Sequence, residues 1–171
     1  MSEAVQELAP LGMIALRADL TVKPVQSALG DTTGLEIPAP LRYTGQDALR
    51  LLWMSPDEAL ILSAPDAVKP LMNDLSDALG KTHNMITDLS AARVGFRLSG
   101  PDARVSLAKL TPVDLHPTKF GPGQVRRTRL GQIAAVFWMT DPETFEIFCF
   151  RSYGSYLHAL LNTAVEGPGI V

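Results

Sequence analysis

A chain of 171 residues with 46% apolar content can bury a core as one domain, or as two intimately packed halves, but hardly as two independent domains. Its single cysteine, Cys149, excludes an internal disulfide and a multi-cysteine metal site, and no apolar run approaches the roughly 18 residues of a membrane span. The N-terminal MSEAVQELAP has neither the basic segment nor the apolar stretch of a signal peptide, so a cytoplasmic protein without membrane partners is expected.

Residues 1–10 are polar and read as a frayed end, and Met13 to Leu16 as the first strand. Asp19 to Pro40 carries several turn residues and weak periodicity, which predicts a long loop. Gly45-Gln46 reads as a turn, and Leu49 to Met54 and Ala59 to Leu62 as two strands joined through Ser55-Pro56-Asp57-Glu58. Trp53 in the first of them is expected to be a large packing anchor. Val68, Leu71, Met72, Leu75 and Leu79 form a helical stripe closed by Gly80. Pro70 is tolerated only in a first turn, so this helix starts near Ala67. His83 to Leu89 supplies another strand.

Val94, Phe96 and Leu98 alternate with Gly95, Arg97 and Ser99, the period of a strand with one dry face. After Ser99-Gly100, Pro101 suits a first helical position, where its missing N–H is no loss, and Asp102 places negative charge at the helix start. Ala103, Leu107 and Leu110 give this short helix one apolar stripe, and the prolines and glycines of 111–123 force a loop after it. Gln132 to Met139 and Thr144 to Phe150 are strands joined by a turn at Thr140-Asp141-Pro142-Glu143. Ile133, Ala135 and Phe137 share one face. Trp138, Phe148 and Phe150 occupy the other alternation, so helices or another chain must cover a second apolar side. Ser152 is placed to cap a last helix with a stripe of Tyr153, Tyr156, Leu157, Leu160, Leu161 and Ala164, ended by Gly167-Pro168-Gly169.

Charge is segregated along the chain. Residues 1–92 hold 6 basic and 12 acidic side chains, residues 93–129 hold 8 basic ones against Asp102 and Asp114, and residues 130–171 hold Arg151 against four acids. The positive middle, with Arg126, Arg127 and Arg129, fits an acidic protein surface, a solvated face, a small anion or a phosphate backbone. His116, two residues after Asp114, invites a general-base reading, but that needs a substrate proton within reach. The competing reading ties Asp114 to backbone N–H groups of its own loop while His116 packs over it or contacts a neighbour. Arg151 has an intrachain salt bridge as its alternative to a partner. Cys149 reads as a small buried apolar residue, and His83, His116 and His158 are too scattered to suggest a metal cluster. Neither G-x-G-x-x-G nor a P-loop sequence is present, and no aromatic-basic or helix-turn-helix motif accompanies the arginines, so nucleic acid is not expected as a partner.

Gly100-Pro101-Asp102-Ala103, Leu107-Ala108-Lys109, Val113-Asp114-Leu115-His116-Pro117 and Phe120, in that order, resemble the central motif of the gamma subunit of heterotetrameric sarcosine oxidase. Trp53 to Leu62, Asp88-Leu89-Ser90 and Arg151-Ser152-Tyr153 resemble flanking segments of the same family, so the likeness spans roughly residues 50 to 165. Thr111 stands where the family pattern has a cysteine, and the first 40 residues match none of it. The resemblance implies a fold like the folate-binding domain of aminomethyltransferases, built from two ferredoxin-like halves. It also implies a subunit without catalytic residues of its own in a complex that demethylates sarcosine to glycine and passes the one-carbon unit to tetrahydrofolate. FAD, FMN, NAD and zinc would then sit in the other subunits. The chain would dock on the large alpha-like subunit, within a complex that also holds beta and delta subunits.

The residues themselves give α+β, with antiparallel hairpins and helical crossovers in a mixed or antiparallel sheet, as a single domain with approximate halves 10–90 and 91–167. Candidate partner contacts are Asp114, His116, Phe120, Arg126, Arg127, Arg129 and Arg151. No catalytic, cofactor-binding or metal-binding residue is expected in this chain. A free-standing folate or small-anion binder is the alternative.

Overall fold

The computed structural model describes residues 4–167. The chain divides into two units, one of residues 10–91 and the other of residues 4–9 with 92–167. The second unit opens with strand β1 (Val5–Glu7), so the N-terminal residues expected to fray instead join a sheet.

The first unit runs β2 (Gly12–Arg17), α1 (Lys23–Thr33), β3 (Tyr43–Gln46), β4 (Leu49–Ser55), β5 (Glu58–Ser63), α2 (Val68–Leu79) and β6 (Met85–Asp88). Its sheet has the order β3-β4-β5-β2-β6, and every pairing is antiparallel. The interior strand β2 is buried from Gly12 to Leu16, as a strand covered on both faces must be. Helix α2 begins at Val68 after a 3-10 turn, keeps Pro70 in its first turn and ends at Gly80, whose φ is 51°. Trp53 is half-buried and packs against this unit's core, and the β4–β5 register shifts beside it.

Two expectations fail in this unit. Helix α1 occupies the middle of the stretch read as a long loop: Pro24 sits in its first turn, Gly34 closes it at φ 68°, and Val25, Ala28 and Leu29 bury one face. Gly45 and Gln46 belong to β3, and the hairpin turn falls at Asp47-Ala48, with Asp47 at φ 52°.

The second unit continues with β7 (Arg93–Ser99), α3 (Ala103–Ala108), β8 (Val125–Leu130), β9 (Ile133–Asp141), β10 (Thr144–Phe150) and α4 (Gly154–Glu166). Its sheet order is β1-β7-β10-β9-β8, again antiparallel throughout. Strands β7, β9, β10 and β1 with α3 and α4 reproduce the β2, β4, β5, β6, α1 and α2 arrangement. Each unit is therefore a ferredoxin-like β-α-β-β-α-β layout with one added edge strand, β3 or β8. In the first unit the fourth strand follows the second helix, whereas in the second unit the N-terminal β1 takes that place.

Phe96, Leu98, Ile133, Ala135, Phe137, Phe145 and Ile147 form the helix-covered face, closed by Leu107 of α3 and Leu157 and Leu161 of α4. On the other alternation Trp138 and Phe148 stack 5.1 Å apart and are buried, whereas Phe150 is exposed. Gly95 makes that stack possible, since a Cβ there would meet the Phe148 ring at 2.6 Å. Glu146 is buried beside its cross-strand neighbour Arg97, which holds it at 3.0 Å. Helix α3 starts one residue after Asp102, so Pro101 lies in the preceding turn instead of at a first helical position. Ser152 lies in a 3-10 turn (Arg151–Tyr153) and makes no capping bond to α4, whose buried stripe is Leu157, Leu161 and Ala164. Tyr153 and Tyr156 are 46% and 47% exposed, so they are not part of that stripe. Gly167 follows α4, and Pro168 and Gly169 lie outside the described residues.

Candidate functional site

The loop from Thr111 to Gly123 joins α3 to β8, and its own polar groups fix it. Asp114 Oδ1 accepts the His116 N–H at 2.9 Å, as the loop-tying reading expects. The Lys119 and Phe120 N–H groups donate to the His116 carbonyl at 2.8 and 3.0 Å. His116 Nδ1 lies 2.8 Å from Thr118 Oγ1 and accepts the Thr118 N–H at 3.3 Å. The exposed His116 ring is thus engaged with its neighbour, and the geometry offers no dyad with Asp114.

Arg104, on the first turn of α3, anchors the loop from within, a role that sequence reading missed. Its Nη1 donates to the carbonyls of Leu115 and Phe120, the latter at 2.9 Å, and its Nη2 lies 3.2 Å from Met139 Sδ. The guanidinium sits 5.8 Å from the Phe145 ring centre, and burial lowers its pKa, though an arginine there stays charged. The available signal was its place beside the buried Ala103, just ahead of a proline-rich loop whose carbonyls need donors.

Phe120 is fully buried, stacking on Phe145 at 6.1 Å and meeting Phe137 edge-on at 5.5 Å. As a direct partner contact it is corrected: it belongs to the core and supports the loop from beneath. Arg126 lies with its guanidinium 5.1 Å over the Phe120 ring and donates to the Val125 carbonyl and to Gln124 Oε1. Arg127 and Arg129 are exposed on edge strand β8, a strand the arginine run concealed, and Arg129 reaches Gln132 Oε1 at 3.2 Å.

Arg151 stands apart from these residues. It follows Phe150 at the far end of β10, and its Nη2 donates to the Arg93 carbonyl at 2.8 Å. Phe145, which stacks on Phe120, lies five residues earlier on the same strand, which is roughly 17 Å at ordinary strand rise. Arg151 is therefore about one strand length from the Phe120 end of the loop, while the β8 arginines run along the sheet edge toward its own end, Thr128 standing level with Ala135 and Cys149.

Among the described residues no group of three or more His, Cys, Asp or Glu side chains could hold a metal ion, and no helix is long and apolar enough to cross a membrane. Cys149 is buried and its thiol is pushed up to about 11 by desolvation, in keeping with an inert core residue. His158 stacks on Phe96 at 5.6 Å, and His83 lines a cleft of the first unit with Arg17, Asp19, Asp57 and Met85. Arg17 in that cleft is taken up by Asp57 and Glu58, at 3.1 and 2.9 Å.

Residues 17–166 match the model of the sarcosine oxidase gamma subunit family. The chain belongs to that family. It is 33% identical over 143 residues to the sarcosine oxidase subunit gamma of Corynebacterium sp. (strain U-96), covering 82% of this chain and 69% of that one. The solved heterotetrameric sarcosine oxidase from Corynebacterium sp. U-96, in complex with pyrrole 2-carboxylate, contains a chain that superposes with a TM-score of 0.85 at 30% identity. That match covers 98% of this chain and 87% of the other. The glycine cleavage system aminomethyltransferase T of Bartonella henselae shares the fold, with a TM-score of 0.65 at 17% identity over 92% of this chain and 44% of that one. The family resemblance and the aminomethyltransferase-like α+β fold expected from the motifs are thus both correct.

Proposed function

We propose that this gamma subunit works by shape and docking, and that the chemistry of its sarcosine oxidase belongs to the companion subunits. The observation that carries the reading is the state of the Asp114 loop: Asp114, His116 and Thr118 are engaged with one another's groups in holding the loop, and Arg104 pins it from beneath. What the loop and β8 offer outward is a fixed surface with His116, Arg127 and Arg129 exposed, the mixed composition of a polar interface rim. The large alpha-like subunit is the partner this surface would meet, in a complex with beta and delta subunits. FAD, FMN, NAD and zinc would reside in those chains, as would transfer of the one-carbon unit of sarcosine to tetrahydrofolate. The assembly would be cytoplasmic.

Co-expression with the other oxidase subunits tests this. A tagged chain is expected to carry flavin-bearing subunits with it through purification. A flavin complex that assembles with full sarcosine turnover in its absence would overturn the reading. Saturable binding of tetrahydrofolate by the isolated chain, abolished in Arg126→Ala/Arg127→Ala, would favour a folate binder instead.

A further inference from the structure

Among the described residues the two sheets end in edge strands β1 and β8, and β3 and β6, and three of these edges are guarded. Strand β1 is three residues long, β8 carries Arg126, Arg127 and Arg129, and the segment before β3 is tied to it where Thr44 Oγ1 donates to the Glu36 carbonyl at 2.6 Å. Strand β6 has no such device: it reads Met-Ile-Thr before its first charge and holds neither proline nor lysine. Its ladder to β2 fixes which way its backbone points. Leu89 N–H donates to the Met13 carbonyl at 2.7 Å, and Asp88 stands opposite Ile14, so Ile14 and Asp88 form a non-hydrogen-bonded pair. Counting back along β6, Thr87 and Met85 bond to β2, whereas Ile86 turns its N–H and C=O to the open edge. No described residue bonds to that outward pair.

At the start of the same strand lies the cleft of about 710 Å³ that His83, Asn84 and Met85 line with Arg17, Asp19 and Asp57. Met85 is 53% exposed and stands opposite Arg17 in the register. Arg17 is already held by the carboxylates of Asp57 and Glu58. Asp19 accepts from the Thr21 N–H and hydroxyl at 2.9 and 2.6 Å, which are neutral donors, and no ion pair among the described residues takes it up. The charge left unanswered at the cleft is therefore negative, in a unit whose residues 10–91 hold 10 acidic side chains against 6 basic ones.

Charge and edge together select the occupant. A small cation would leave the β6 backbone open. A second copy of this chain, pairing antiparallel about Ile86, would set its Asp88 against the cleft, acid against acid. We infer that β6 and the cleft at its start take one extended, basic segment of a companion oxidase subunit, which adds to the sheet as a strand beside β6 and places a lysine or arginine against Asp19. The inference rests on the chain being an oxidase subunit, and it adds a contact on the first unit to that of the Asp114 loop and β8.

Three measurements on the co-expressed complex test it. Residue-level hydrogen–deuterium exchange compares the free chain with the assembled oxidase. An added strand must bond the outward Ile86 N–H, so exchange there should slow at least tenfold on assembly, and unchanged exchange would overturn the proposal. A chain with Met85→p-benzoylphenylalanine, otherwise native, is irradiated in the purified assembly and the adduct sequenced. A crosslink to another subunit, within a segment carrying Lys or Arg, is expected. A crosslink to a second copy of this chain, or none in an intact complex, would contradict the assignment. Finally, Asp19→Lys is compared with wild type at matched thermal stability, and capture of the companion subunits should fall at least tenfold. Capture within twofold of wild type would refute the basic occupant. If the wild-type chain itself captures no oxidase subunit, the subunit reading fails first, and the two failures are thereby told apart.

Discussion

Arg104 on α3 donates to the carbonyl of Phe120, sixteen residues further along the chain, at 2.9 Å. Through this bond and its partner at Leu115, one side chain holds both sides of the His116 turn against the sheet. A loop without regular structure thereby keeps one shape, which a docking surface requires because ordering it on binding would cost affinity.

Arg104→Met keeps much of the side chain's apolar bulk and removes its donors. It should cost about 2 kcal/mol, the scale of charge-assisted hydrogen bonds to backbone, measured by urea unfolding. Trypsin should also cut after Lys119 faster than in wild type, since that residue sits in the released turn. An unchanged cleavage rate would show that the loop holds itself.

Phe120→Ala removes the central ring of the Phe120, Phe137 and Phe145 cluster and should destabilise by about 3–5 kcal/mol. Arg127→Ala, on the exposed edge, should stay within about 0.5 kcal/mol. The pair separates a residue that supports the surface from one that belongs to it. Calorimetry on both variants reads the difference directly.

Asp88 ends β6 with its Oδ1 accepting the Ser90 N–H and hydroxyl at 2.8 and 2.6 Å, while Ser90 Oγ accepts the Met13 N–H at 2.9 Å. The Ser90 side-chain and then backbone bonds lower the Asp88 pKa below the ordinary carboxylate value. A carboxylate depressed in the folded state contributes stability above its unfolded pKa and loses it as pH falls through the folded one. Asp88→Asn should therefore be less stable than wild type at pH 7, by about 1 kcal/mol or less at so exposed a site, and converge with it in acid. Urea midpoints from pH 7 down to pH 2.5 give the comparison.

Cys149 carries a raised pKa because ionising it would place charge in the core. Its neutral thiol is favoured by folding, so it supports stability below the unfolded thiol's pKa and that support fades as pH rises toward about 11. A disulfide reagent at pH 8 should modify the native thiol on the order of 100-fold more slowly than the urea-unfolded one. Equal rates would place the sulfur outside the core.

Patterned burial was the part of this fold that the amino-acid order exposed. Strands β4, β5, β7, β9 and β10 and helix α2 each carry an apolar period that matches how they pack. Helix α1 was hidden because Gly30, Asp31, Thr32 and Thr33 are weak helix formers; its helicity rests on burying Val25, Ala28 and Leu29. Strand β8 was hidden by Arg126, Arg127 and Arg129, since an edge strand tolerates the charge that a central strand excludes. At the site, the Asp114 turn follows from residue type alone. The buried state of Phe120, the hold of Arg104 and the distance between Arg151 and the loop depend on strand register, which no local pattern states.

Hydrogen–deuterium exchange, compared between the isolated chain and the assembled oxidase, tests the docking account most directly. Assembly should slow exchange across residues 114–119 and 125–130 by at least tenfold. Unchanged exchange there, with protection confined to other parts of the chain, would contradict it.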